Sequence, residues 1–167
     1  MKIPVWMKTE LKHIGLENFK FNLEMTDKFI SEYDPNNNTV YISKHTSSGF
    51  GKLIKKLCAR PTDPKHSYRH EIGHAFLESM DHVKKTKRFK RVFGSTRTRY
   101  DERAILKAWM WKDIPDEYVS KYAQAHPEED FAETFAEYLV YGVYKDDPYW
   151  VKEKKKYIDD LISRWTA

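Results

Sequence analysis

The segment His70-Glu71-Ile72-Gly73-His74 puts two imidazoles and a carboxylate within five residues. On a helix, residues four apart share a face, so His70 and His74 can present ring nitrogens to one metal ion, at about 2.0–2.1 Å each for zinc. Glu71 then projects beside the ion rather than into its ligand shell. From there it can take a proton from a water that the metal has acidified. Gly73 leaves room for a close backbone approach, and Ile72, Ala75 and Phe76 suit the opposite, buried face. Two histidines at this spacing also arise by accident, so the segment alone is a hypothesis.

A catalytic zinc takes three protein ligands and keeps a fourth position open for water. The stretch Tyr122-Ala123-Gln124-Ala125-His126-Pro127-Glu128-Glu129-Asp130-Phe131-Ala132-Glu133-Thr134 offers the missing ligand. Glu129 and Glu133 are four apart. One helical turn can therefore supply a carboxylate ligand and a second carboxylate that holds a ligand histidine by its free N–H. The plainer alternative leaves both on a solvated face. His126, three residues before Glu129, can cap the helix, contact substrate or assist an oxyanion. His66 lies one turn before His70 and can approach the site, although a surface position is the simpler expectation. His13, His45 and His82 belong to no constellation, and Tyr68 and Tyr100 read as packing residues.

These residues need elements to hold them. Leu11 to Leu16 closes a short N-terminal helix, and Phe19 to Leu23 alternates apolar and polar residues as a half-buried strand does. Turn formers crowd Asp34 to Asn38, and the β-branched and aromatic Thr39–Ser43 reads as a second strand and as the cleft edge that pairs with extended substrate. Phe50 to Leu57 has helical spacing. Asp63-Pro64 breaks the chain, and Ser67 is the expected N-cap of a helix through about Met80. Further helices are expected from Asp101 and from Pro115. His126-Pro127 followed by three acids reads as another start, of a helix running to about Tyr141. Phe131, Phe135, Tyr138 and Leu139 would fix it on the core. After Asp147-Pro148, Trp150, Val151, Ile158, Leu161, Ile162 and Trp165 line one side of a C-terminal helix. The expected fold is α+β, mostly helical, with a small sheet ahead of the active-site helix.

The bulk numbers agree. A chain of 167 residues, 40% apolar and 33% charged, suits one folded domain over residues 1–167. Its single cysteine, Cys58, excludes an internal disulfide and any cysteine-built zinc site. No secretory signal and no membrane-spanning run is visible, which makes the cytoplasm the default compartment. The net charge of +5 is unevenly placed: Lys84 to Arg99 holds eight basic residues and no acid, so the remainder carries −3. That segment can grip phosphates, dock an acidic peptide beside the cleft, or be a solvated helix and loop. Phe89 and Phe93, four apart, suit a packed amphipathic helix better than a base-stacking platform.

His-Glu-Ile-Gly-His with Glu-Asp-Phe-Ala-Glu resembles the gluzincin metallopeptidases. The stretch from Tyr122 to Thr134 more closely resembles the family of putative zinc-binding metallopeptidases, a resemblance that covers roughly residues 33–142. The layout Tyr-x6-Glu-x3-Glu is also similar to that of the anthrax lethal factor catalytic domain and the Pro-Pro endopeptidases. These resemblances imply a zincin-like domain with one catalytic zinc on His70, His74 and Glu129. They further imply Glu133 as the carboxylate behind a ligand, Tyr122 as the oxyanion stabiliser and a peptide or protein as substrate. Many family members carry an N-terminal cysteine ribbon, for which this chain lacks the cysteines. The expected function is a zinc peptidase, an endopeptidase in type. The alternative is a non-catalytic zinc-stabilised module holding nucleic acid or an acidic partner through residues 84–99.

Overall fold

The computed structural model describes residues 3–27, 31–44, 65–94 and 116–166. The helices expected at Phe50 to Leu57 and from Asp101, with Cys58, His45, Tyr100, Arg97 and Arg99, lie outside the described residues. The helix expected from Pro115 does not form over residues 116–121, which are turn and bend; there the Ser120 hydroxyl accepts the Ala123 N–H at 3.1 Å and starts only a short 3-10 turn. In chain order the elements are α1 (Val5–His13), β1 (Asn22–Thr26), β2 (Glu32–Asp34), β3 (Thr39–Ser43), α2 (His66–Glu78), α3 (Asp81–Lys84), α4 (Lys87–Phe93), a 3-10 turn at Tyr122–Gln124, α5 (Pro127–Tyr141) and α6 (Tyr149–Trp165). The fold is α+β and mostly helical, with its small sheet ahead of α2, as expected.

The sheet runs in the order β1-β3-β2, with β1 parallel and β2 antiparallel to β3. β3 matches the expected strand, and Val40 and Ile42 are buried along it. β1 starts three residues later than the alternation suggested; Phe19 and Phe21 are buried ahead of it in non-strand backbone. The sequence pattern missed β2, which has three polar or half-buried residues and exists by pairing with β3. A turn secures it: Asp34 Oδ1 accepts from the Asn36 N–H at 3.0 Å, and the Tyr33 hydroxyl donates to Asn38 Oδ1 at 3.0 Å.

α2 starts without the expected Ser67 cap. Lys65 occupies the N-cap position, and no side chain caps it. Tertiary contacts hold this end instead. Arg69, buried, grips Glu10 of α1 with two hydrogen bonds of 2.7 and 2.8 Å, and Trp6 meets Tyr68 edge-on at 5.7 Å. α5 begins as its sequence demands. His126 Nδ1 accepts from the Glu128 N–H, Pro127 occupies the first turn, and Glu128, Glu129 and Asp130 face the positive end of the helix. It ends at Gly142, whose φ of +61° only glycine adopts freely. Phe76, Phe89, Phe131 and Phe135 are fully buried, and burying each such side chain contributes about 1.5–3 kcal/mol. On α6, Val151, Ile158, Leu161 and Ile162 are buried as expected, but Trp150 and Trp165 are partly exposed. Lys154 and Lys155 are buried in their place, paired with Asp130 at 2.7 Å and Asp147 at 3.0 Å.

Candidate active site

Gly73 sets the distance between the two helices that carry the site. A Cβ built there would lie 2.9 Å from Ala132 Cα, so α2 and α5 touch backbone to backbone at this point. The contact brings His70 and His74 of α2 against Glu129 and Glu133 of α5. His70 Nε2 lies 3.1 Å from His74 Nε2 and 3.1 Å from Glu129 Oε2, and His74 Nε2 lies 3.2 Å from the same oxygen. Three donor atoms thus form a nearly equilateral triangle. Behind it, His70 Nδ1 is 2.7 Å from Glu133 Oε1. A carboxylate only accepts, so Nδ1 carries a proton held by Glu133, and Nε2, which faces Glu129 and His74, is the nitrogen that would bind a metal once its own proton is displaced.

This donor set fits a zinc ion. A tetrahedral ion about 2.0–2.1 Å from each donor spaces the donors by about 3.3–3.4 Å, so the triangle needs to open by only about 0.2 Å. His70 and Glu129 are buried, and His74 is half-buried. Burial opposes the charged form of each ionisable group there, but partners decide the outcome. Glu129 and Glu133 outweigh burial at His70 and hold its pKa well above the ordinary value. Burial pushes Glu129 up, and the two histidines more than reverse it. Glu133 likewise falls well below the carboxylate range, drawn down by His66 and His70 against burial. Glu71 goes the other way: burial raises it, His70 and His74 only partly restore it, and Glu129 and Glu32 add to the rise.

The site opens into a cleft of about 330 Å³ lined by His70, Glu71, His74, Tyr122, Glu129 and the β2 strand, among others. Tyr122 sits on the 3-10 turn just ahead of α5, with its ring 5.6 Å from that of His70. The strand expectation needs correction here. β3 is the central strand, hydrogen-bonded on both sides, and so offers no free edge to substrate. Among the described residues β1 and β2 are the outer strands, and on the β2 side Ser31, Glu32, Tyr33 and Pro35 border the cleft. His126 does not line it; its Nδ1 is engaged in capping α5. His66, expected at the surface, reaches inward instead, with Nε2 2.9 Å from Glu133 Oε1. Its sequence signal was the 66–70–74 spacing, three histidines on one face of α2.

Three of the six basic residues in the described part of the basic segment are paired with acids. Lys84 pairs with Glu78 at 2.5 Å and Asp81 at 3.4 Å, Lys85 pairs with Asp81, and Arg88 pairs with Asp160 of α6. Phe89 and Phe93 pack inward with ring centres 5.1 Å apart. Among the described residues, no helix is long and apolar enough to cross a membrane.

Two helices that present His-x3-His and Glu-x3-Glu across a glycine contact bring together donor groups that could hold a metal ion. Residues 66–145, just under half of the chain, match the family described as "putative zinc-binding metallo-peptidase". The match spans both site helices. It begins at His66, so the Tyr33–Ser43 strand region counted in the sequence resemblance lies outside it. At this coarse level the chain is similar to zinc-binding peptidases, whose substrates are peptides or proteins. No curated protein and no solved structure matches the chain.

Proposed function

We propose that this chain is a zinc-dependent peptidase of the gluzincin type, formed as one zincin-like domain, with His70, His74 and Glu129 as ligands of a single ion. The observation that carries the reading is the donor triangle with 3.1–3.2 Å sides, opening on a cleft that Glu71 also lines. The bound ion would polarise the scissile carbonyl and acidify a water. Glu71 takes the proton of the attacking water and passes it to the departing amine, a task suited to a carboxyl whose pKa burial has raised. Tyr122, beside His70, donates its hydroxyl to the developing oxyanion. Glu133 holds His70 in the tautomer that binds metal. β2, an outer strand among the described residues and a border of the cleft, is the strand proposed to pair with the backbone of an extended peptide, which suits cleavage within a chain.

A non-catalytic zinc module draws less support. Structural zinc needs no buried carboxylate beside its ligands, and the described basic residues at 84, 85 and 88 are already paired. Glu71→Gln separates the two readings. The expected outcome is a folded, zinc-loaded variant that has lost peptide cleavage by at least about 100-fold, the scale of general-base catalysis. Cleavage of a peptide library at the wild-type rate by that variant would sink the peptidase reading.

A further inference from the structure

The histidines of α2 stand one turn apart at 66, 70 and 74, and opposite them the glutamates of α5 stand one turn apart at 129 and 133. Imidazole and carboxylate therefore alternate along the helix contact. His66 ends this ladder outside the donor triangle. Its Nε2 is 2.9 Å from Glu133 Oε1, the oxygen that also takes the His70 Nδ1–H at 2.7 Å. Both rings must bring an N–H to that oxygen, because an ionised carboxylate has none. The Glu133 side chain is 7% exposed and that of His66 is 32%. A buried carboxylate is thus held by two donors from one rigid helix, the outer one at the solvent border. With one donor, the carboxylate could swing about the His70 nitrogen. With two, its position is set.

We propose that His66 is a positioning residue for the metal centre. Through Glu133 it fixes the tautomer and ring plane of His70, so that Nε2 faces Glu129 and His74 before an ion binds. This inference rests on the zinc reading above. His66, His70 and Glu133 also bring donor atoms within 4.8 Å of one another, the span of a second metal site. The geometry favours hydrogen bonds over that use. A single oxygen lies at hydrogen-bonding distance from both nitrogens, and a second ion would need His70 to bind metal through both ring nitrogens at once.

The test compares wild type, His66→Ala and His66→Gln, whose amide can still donate an N–H. Zinc affinity is read by competition with a chromophoric chelator, and ligand geometry by the absorption bands of the cobalt(II) form. The expected result is zinc binding about tenfold weaker in His66→Ala, the lower end for partners that orient metal ligands, with altered cobalt bands. His66→Gln should recover most of the affinity and the native spectrum. Where the alanine variant does not fold, the glutamine variant decides alone: near-native affinity and spectrum support the assignment, and a tenfold loss overturns it. A folded His66→Ala with native affinity and spectrum overturns it too. Two zinc ions per wild-type chain, falling to one in His66→Ala, would replace it with a second metal site. A wild type that binds neither zinc nor cobalt removes the zinc reading itself, an outcome distinct from all of these.

Discussion

Glu129 and Glu133 have the same side chain and sit one turn apart on α5, yet they meet opposite ends of the His70 ring. Glu129 Oε2 joins His70 Nε2 and His74 Nε2, whereas Glu133 Oε1 takes the Nδ1 proton of His70. Spacing alone made the two glutamates interchangeable as ligand candidates. The resemblance to known peptidases favoured Glu129, and the geometry supports the same order through which nitrogen each one faces. Removing them should therefore differ in kind. Glu129→Ala deletes a proposed ligand and should leave the purified protein almost free of zinc by elemental analysis. Glu133→Ala keeps all three donors and should weaken binding by about 10–100-fold. Greater zinc loss from Glu133→Ala would reverse the assignment.

At the level of elements, the site depends on one close helix contact. α2 and α5 meet where Gly73 faces Ala132, and any side chain at 73 pushes against backbone rather than against a side chain that can rotate away. Gly73→Ala should destabilise the fold by about 1–3 kcal/mol through overpacking, even though alanine is the better helix former. The same displacement widens the donor triangle, so zinc affinity should fall together with the melting temperature. Native affinity in Gly73→Ala would mean that α2 and α5 can part without opening the site. The glycine's role was legible from its place inside the histidine segment. β2 was not, because three residues, Glu32, Tyr33 and Asp34, are too few to show a period and form a strand only against β3.

For the whole molecule, the proposed zinc site would set metal and proton in competition for the same nitrogens. His70 has a folded-state pKa raised well above 6.5 by its two carboxylate partners, despite burial. In the metal-free protein the stability contributed by that protonated ring is therefore full below about 6.5. It is lost as pH rises through the folded value. Zinc needs the ring neutral at Nε2, so binding displaces the proton and tightens as pH rises. Zinc at 100 times its Kd should stabilise the protein by about 2.7 kcal/mol, read as a rise in Tm. At one fixed zinc concentration the rise should be larger at pH 8 than at pH 6, and chelator should abolish it. A Tm indifferent to zinc at both pH values would contradict a metal bound between α2 and α5.

Local chemistry was written plainly in the chain. His70 and His74 share a face because helical geometry dictates it, and Pro127 with its following acids could only begin a helix. From those patterns follow the α+β class, the two site helices and the candidate ligands. Contacts between distant segments depended on how the elements pack. Packing buried Lys154 and Lys155 against Asp130 and Asp147, made β3 the central strand and β2 an outer one among the described residues, and committed His126 Nδ1 to a cap. It also turned His66 inward, onto an oxygen 67 residues away in sequence. Periodicity reports which face a residue occupies. Which partner it meets there is decided only when α2 and α5 close on each other at Gly73.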